Sequence, residues 1–217
     1  MLKNTERSCK MNDKEVLRVL EKTGALIADV TNDIVWIQNK NGMFHLHGTV
    51  CFNKDEIYPQ VKIVSRLCHS IAKQFADDNV EVVIGPTVGG AILSQWTAHH
   101  LYEMCGCEVL SIYADKNRVL KSNSAGDYEN IITIRKSFDN FVKNKRVLVV
   151  DDTLITGGSI NKVIKAARDI GGNVIGLGVL LNQRGITPQD MDIPKLTALL
   201  NATLNTRDEY DYARRSQ

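Results

Sequence analysis

Apolar positions recur along this chain with two different periods, and the change of period divides it. From Asp13 to Thr23, the residues Val16, Leu17, Val19 and Leu20 predict a short amphipathic helix that Gly24 can end. Leu26 to Gln38 reads as extended, Asn39-Lys40-Asn41-Gly42 as a turn, and Phe44 to Phe52 as a further strand. His45 and His47 alternate with Phe44 and Leu46, which makes them sheet-surface residues. This opening section has short strands and no crossover helix, so it is expected to form a cap or hood beside the main sheet.

After Pro59 the pattern becomes an alternation of helix and strand. Val61, Val64, Leu67, Cys68, Ile71, Ala72 and Phe75 share one face of a helix over 61–77. Val80–Ile84 reads as a strand, Ala91–Met104 as a helix and Val109–Ala114 as a strand. The polar residues 115–130 are expected as a long loop, followed by a returning strand at Ile131–Ile134. Then come a strand at Arg146–Val150, a helix at Ser159–Ile170 and a strand at Val174–Leu181. Helices alternating with short apolar strands predict an α/β domain, with a central mostly parallel sheet flanked by helices. Leu196–Leu204 fits a strand or a short helix, and Asp208–Gln217 is polar. The expected organisation is one domain: a hood over about 13–58, a core over about 59–182, and a C-terminal extension over 183–217.

Composition narrows the function classes. The 217 residues carry a formal charge of +2, with 43% hydrophobic and 24% charged residues. This is a globular balance with no strong field toward nucleic acid or membrane, so neither is an expected partner. No apolar stretch reaches bilayer length, and Met1–Asp13 lacks the apolar core of a signal peptide. Five scattered cysteines suggest no disulfide framework, and a reducing cytoplasmic setting follows. Cys105-Gly106-Cys107 lies near His99 and His100, but no second ligand pair at zinc spacing follows. Thiols beside a helix end are the expected reading there.

The candidate chemistry is concentrated where the strand Val147-Leu148-Val149-Val150 meets Asp151 and Asp152. The carboxyl edge of a parallel sheet is where ligands bind. Thr156-Gly157-Gly158-Ser159 then opens a helix, whose N-terminus offers backbone N–H groups and a partial positive charge. The glycines admit close approach of an anion, and Thr156 and Ser159 add hydroxyls, making a phosphate cradle. The adjacent carboxylates would repel phosphate but accept hydrogen bonds from a sugar diol. A ligand with a phosphate at one end and a ribose beside it satisfies both halves. There is no Gly-Lys-Ser/Thr for a Walker A loop and no Gly-x-Gly-x-x-Gly opening this helix.

Val147 through Ser159 resembles the 5-phosphoribosyl-1-pyrophosphate (PRPP) signature of type I phosphoribosyltransferases, with Thr153 in place of the usual apolar residue after the acids. The resemblance implies the type I phosphoribosyltransferase fold. It implies that Asp151 and Asp152 hold the ribose hydroxyls, and that Thr153, Leu154, Ile155, Thr156, Gly157, Gly158 and Ser159 wrap the 5-phosphate. Asp152 would also stabilise the ribose cation. Gly85-Pro86-Thr87-Val88-Gly89-Gly90 looks like the pyrophosphate loop of orotate phosphoribosyltransferases, which implies pyrophosphate contacts from Thr87, Val88, Gly89 and Gly90. The best-known orotate enzymes carry Lys in this loop, where this chain has Val88-Gly89. The stretch 115–130 matches the family's mobile catalytic loop; it carries Lys116, Arg118 and Lys121, and Lys116 is the candidate that reaches pyrophosphate and acts in catalysis. Lys54, and Arg184 beyond the strand Val174–Leu181, fall where orotate-type enzymes contact the base.

The implied reaction is transfer of the phosphoribosyl group from PRPP to a ring nitrogen of a nucleobase. Orotate is the first expectation; a purine base, or a non-catalytic PRPP- or nucleotide-binding regulator, is the alternative. The transition state would resemble an oxocarbenium ion stabilised electrostatically. Magnesium would arrive on PRPP without direct protein ligands, and the family suggests a homodimer.

Overall fold

The computed structural model describes residues 13–28, 34–39, 42–47, 50–120 and 128–201. Helix α1 (Asp13–Lys22) buries Val16 and Leu20 and stops at Gly24, which has a left-handed φ of 74°. Four short strands follow: β1 (Leu26–Ala28), β2 (Ile34–Asn39), β3 (Gly42–His47) and β4 (Val50–Phe52). Among the described residues, each of the two long extended stretches expected here contributes two strands. β2 and β3 pair antiparallel from Ile34 opposite His47 to Asn39 opposite Gly42, while β1 pairs with β4. Each pairing satisfies backbone groups that one continuous strand would leave to solvent.

Helix α2 (Val61–Gln74) buries Val64, Leu67, Cys68, Ile71 and Ala72, the spacing of one helical face. The main sheet then forms from β5 (Val82–Pro86), β6 (Leu110–Leu120), β7 (Tyr128–Thr133), β8 (Arg146–Leu154), β9 (Asn173–Asn182) and β10 (Leu196–Asn201). Their order is β10-β9-β8-β5-β6-β7, parallel throughout except for β7 against β6. Helix α3 (Gly89–Cys105) follows β5, a single turn α4 (Asp139–Val142) precedes β8, and α5 (Gly158–Asp169) follows it. One turn is too short to leave a periodic signal, so α4 has no counterpart in the sequence pattern.

The strands alternate between two cores. Leu148 and Val150 of β8 join the cluster under α1, α2 and α3, while Val147 and Val149 join the cluster under α5. This two-sided burial is what makes the strands read as continuous apolar runs.

Two expectations are corrected. Residues 115–120 and 128–130 are strand, not loop: Lys116 sits opposite Ile132 and Leu120 opposite Tyr128 in an antiparallel ribbon. Lys116, Asn117, Glu129 and Asn130 are exposed, and a solvated stretch of ribbon needs no apolar alternation, so its sequence looks like a loop. Lys121 lies outside the described residues. The C-terminal boundary also shifts, because Leu196–Asn201 is a strand lying parallel on β9 and forms the edge of the main sheet. No helix among the described residues is long and apolar enough to cross a membrane.

Candidate active site

β5 and β8 are parallel neighbours, with Val82 opposite Val147, so the turns leaving them open at the same edge of the sheet. Strand β8 carries the acids within it. Asp151 pairs with Val179, and the ladder continues to Leu154 opposite Asn182. This fixes the backbone of both acids to the sheet, and their carboxylates are held at a set position.

Asp152 is buried, with 5% of its surface exposed. One of its oxygens, Oδ2, receives the Tyr58 hydroxyl at 2.6 Å and faces the Lys54 ammonium at 3.2 Å. Burial, and then the neighbouring Asp152 charge, push the Tyr58 phenol well above its ordinary range, so it stays a donor. Asp151 is half-buried, and its Oδ1 accepts the Asp152 backbone N–H at 2.9 Å. Its carboxyl is raised to about 7, first by burial and then by the Asp152 charge; Lys54 and Lys116 oppose the rise. The two acids are thus an unequal pair under the influence of two lysines.

The turn after β8 ends at Gly157, whose φ of 72° caps α5. A side chain there would be strained by the left-handed backbone, and its Cβ would lie 2.7 Å from the Met191 Sδ. The Gly157 carbonyl takes the first helical bond, from Asn161 N–H at 2.7 Å. Gly158, Ser159 and Ile160 then begin α5, where N–H groups have no carbonyl partner within the helix and the dipole favours an anion. Thr156 and Ser159 are exposed beside them.

The turn after β5 contains a cis peptide between Thr87 and Val88. Thr87 is strapped to β6 at both ends: its N–H donates to Ala114 O at 2.9 Å, and its Oγ1 accepts from Lys116 N–H at 3.1 Å. Val88 projects outward, 75% exposed. Gly89 is where the two turns meet. A Cβ on it would lie 2.0 Å from the Tyr58 hydroxyl and 2.5 Å from Asp152 Oδ2, so only hydrogen fits. Gly90 packs as closely, against Pro86 and the Val150 carbonyl.

The structure therefore brings Lys54, Tyr58, Gly89 and Asp152 to one point, with Asp151 beside it on β8 and Thr87 and the exposed Lys116 at its rim. Thr153 and Leu154 lie on β8 itself, and Ile155 and Thr156 form the bend. Lys54, read from sequence as a base contact, here lies on Asp152. Arg184 is exposed on the turn after β9, which the Asn182 side chain braces through Ile186 and which joins β8 through Gln183 N–H to Leu154 O. Tyr58 was missed as a site residue. The chain offered only an aromatic before Pro59, and its partner is 94 residues away. Cys105 and Cys107 depart from the expected thiols, because their sulfurs are bonded to each other across Gly106, whose φ of 66° ends α3.

A family model described as a phosphoribosyl transferase domain matches residues 53–198. The chain is 27% identical over 202 residues to an orotate phosphoribosyltransferase of Desulforamulus reducens, covering 91% of this chain and 88% of the relative. It is 30% identical over 177 residues to the orotate phosphoribosyltransferase of Pelotomaculum thermopropionicum, covering 80% and 77%. Among solved structures, an orotate phosphoribosyltransferase of Mycobacterium tuberculosis superposes with a TM-score of 0.58 at 16% identity, over 87% of this chain and 95% of that one.

Proposed function

The chain belongs to the phosphoribosyl transferase family with the type I fold, and we propose that it transfers the phosphoribosyl group of PRPP to orotate, releasing pyrophosphate and forming orotidine monophosphate. One observation carries the donor: two ribose-type acids and an anion-binding helix N-terminus leave the same strand, and a second glycine turn meets Asp152 at Gly89. The likeness to orotate enzymes over most of both chains supports the acceptor.

In this reading the 5-phosphate rests on the first turn of α5, with Thr156 and Ser159 donating to it. The ribose diol donates to Asp151 and Asp152. A ribose hydroxyl that takes Asp152 Oδ2 displaces the Tyr58 hydroxyl and the Lys54 ammonium, which both lie on that oxygen. Lys54 is then released toward pyrophosphate or the base. The pyrophosphate lies along Thr87–Gly90, with Lys116 at its rim neutralising charge as the bond to the anomeric carbon breaks. Asp152 faces the cation that develops on the ribose ring, and this stabilisation costs no reorganisation because the strand already holds the carboxylate. Arg184 offers a planar pair of donors to an acceptor base. Magnesium in this reading is carried by the phosphates of PRPP, with no direct protein ligand. Such an ion, arriving on PRPP, would supply charge neutralisation for the leaving group. A cytoplasmic setting and a homodimer, the dimer by resemblance, belong to the same proposal, and light scattering on the purified chain tests the dimer.

The deciding assay mixes the protein, PRPP and magnesium with orotate, uracil, hypoxanthine, guanine, xanthine or adenine, and follows pyrophosphate release. Release with orotate is expected. Release only with a purine would move the function to a purine transferase, and donor binding without any release would leave a regulator.

A further inference from the structure

Three of the chain's five histidines gather on the outer side of the α2–α3 pair, away from the proposed donor site. His99 lies ten residues beyond the start of α3 at Gly89, which places it about 15 Å along the helix from that loop. Glu103 is one turn further on, at i+4 from His99 and i+3 from His100, so its carboxylate reaches both rings.

The two histidine–glutamate distances are close to those between neighbouring ligands of one ion. His99 Nε2 is 3.5 Å from Glu103 Oε1, and His100 Nδ1 is 3.0 Å from Glu103 Oε2. The ligand atoms of all three residues lie within 4.8 Å of one another. With zinc–ligand bonds of about 2.0–2.2 Å, tetrahedral neighbours stand roughly 3.3–3.5 Å apart. His99 and Glu103 already match that spacing, and both are exposed, so an ion can enter and side chains can adjust.

His100 is the fixed member. It is buried at 8% exposure, with Trp96 stacked on one side at 6.1 Å between centroids and His69 edge-on at 5.1 Å. Its Nε2 is 3.0 Å from Ser65 Oγ on α2. If Nε2–H donates to Ser65, Nδ1 is left as a lone pair aimed at the cluster, which is how metal-bound imidazoles are usually oriented. Two imidazole nitrogens and one carboxylate oxygen are a borderline donor set that favours zinc over magnesium or calcium. A remaining position falls to water or to His69.

We propose that His99, His100 and Glu103 form a zinc-binding site, and that the ion clasps the distal half of α3 to α2 through His100 and Ser65. The disulfide-bonded Cys105 and Cys107 take no part.

The test uses the full chain, dialysed against chelator and then given zinc alone, without PRPP or magnesium. One zinc per chain is expected by calorimetry, with a higher thermal midpoint, and cobalt in its place should give the visible absorption of a tetrahedral site. Glu103→Gln and His99→Ala, both at exposed positions, should each weaken zinc binding at least tenfold and abolish the cobalt bands. Asp151→Asn and the double change Cys105→Ser/Cys107→Ser should leave binding unchanged. The proposal is overturned if the wild-type chain takes up no zinc, if both cluster variants bind within twofold of wild type, or if either control removes the ion.

Discussion

Asp151 and Asp152 are neighbours in sequence with different surroundings, and the difference makes Asp151 a liability for the fold. Its carboxyl sits at about 7, against an ordinary 3.8, because burial and the Asp152 charge disfavour ionisation. A group raised in the folded state keeps a proton that the unfolded chain has released. Its contribution is therefore fully present below about pH 4 and lost as pH rises to about 7. Asp151→Asn should stabilise the protein at pH 8 by roughly 1–2 kcal/mol, a figure reduced for the side chain's partial exposure, and the gain should shrink toward zero near pH 4. Urea midpoints of both proteins at pH 4.5 and pH 8, on the order of the two ends of this window, check it; an equal gap at both would refute the assignment. Tyr58 poses the converse case. Its hydroxyl stabilises the free protein through a bond to Asp152 Oδ2, and in the proposed reading a ribose hydroxyl competes for that oxygen. Tyr58→Phe should lower stability by about 1 kcal/mol and lower the KM for PRPP by roughly fivefold, because that energy no longer has to be surrendered on binding. A KM that stayed the same or rose would show that the hydroxyl does not compete with the donor. The acids and glycines of this site were legible because they are contiguous along one strand–turn–helix. Tyr58 was not, since a contact 94 residues apart leaves no local pattern.

At the scale of elements, the ribbon of β6 and β7 is the part the sequence concealed. Its residues 115–120 and 128–130 include charged and exposed positions, so they lack the alternation that marks a half-buried strand. The structure gives it anchors. Arg135 pairs with Asp115 at 2.7 Å at its base, the Lys162 ammonium of α5 reaches the Asn130 carbonyl, and Thr87 ties β6 to the turn after β5. The ribbon is therefore tied to helix α5 and to the turn after β5, which makes Lys116 a residue on an anchored strand rather than one on a free loop. Its backbone holds Thr87 and its charge acts on Asp151. Lys116→Ala keeps the backbone bond and removes the charge. It should lower kcat by at least about tenfold, the size expected for one lost electrostatic contact to a leaving group, with little change in thermal midpoint because the side chain is exposed. A kcat within twofold of wild type would remove Lys116 from the mechanism. The same reasoning explains why α5 and β9 were read almost to the residue, since burial writes itself into the apolar pattern, while β8 runs four residues past the expected Val150 because residues 151–154 carry the ladder through polar positions.

The whole molecule turns on a sheet with a core on each side, and β10 contributes to both. Leu199 is buried in the cluster with α1, α2 and α3, while Leu196 and Ala198 pack on the cluster under α5. Helices α1 and α2 both rest against this strand, and the preceding Lys195 bonds Asp78, just beyond α2, at 2.6 Å. A short apolar run at the end of a chain reads equally well as strand or helix, and only the open edge of β9 decides it. A core ending near residue 182 would make everything after it dispensable, and the packing predicts the opposite. A chain ending at Lys195 would expose the edge of β9 and uncover both clusters, and it should not give a cooperative unfolding transition. Leu199→Ala separates the packing from the truncation. It should cost about 2–3 kcal/mol, or roughly 5–10 °C in thermal midpoint for a chain of this size, while leaving the KM for PRPP unchanged because the acids sit two strands away on β8. If the truncated chain unfolded with a wild-type midpoint, β10 would be an appendage; if Leu199→Ala altered donor binding at full folding, the edge strand would be coupled to the site. The structure predicts neither, since β9 stands between β10 and the acids and its own ladder to β8 is unbroken from Leu148 to Asp151.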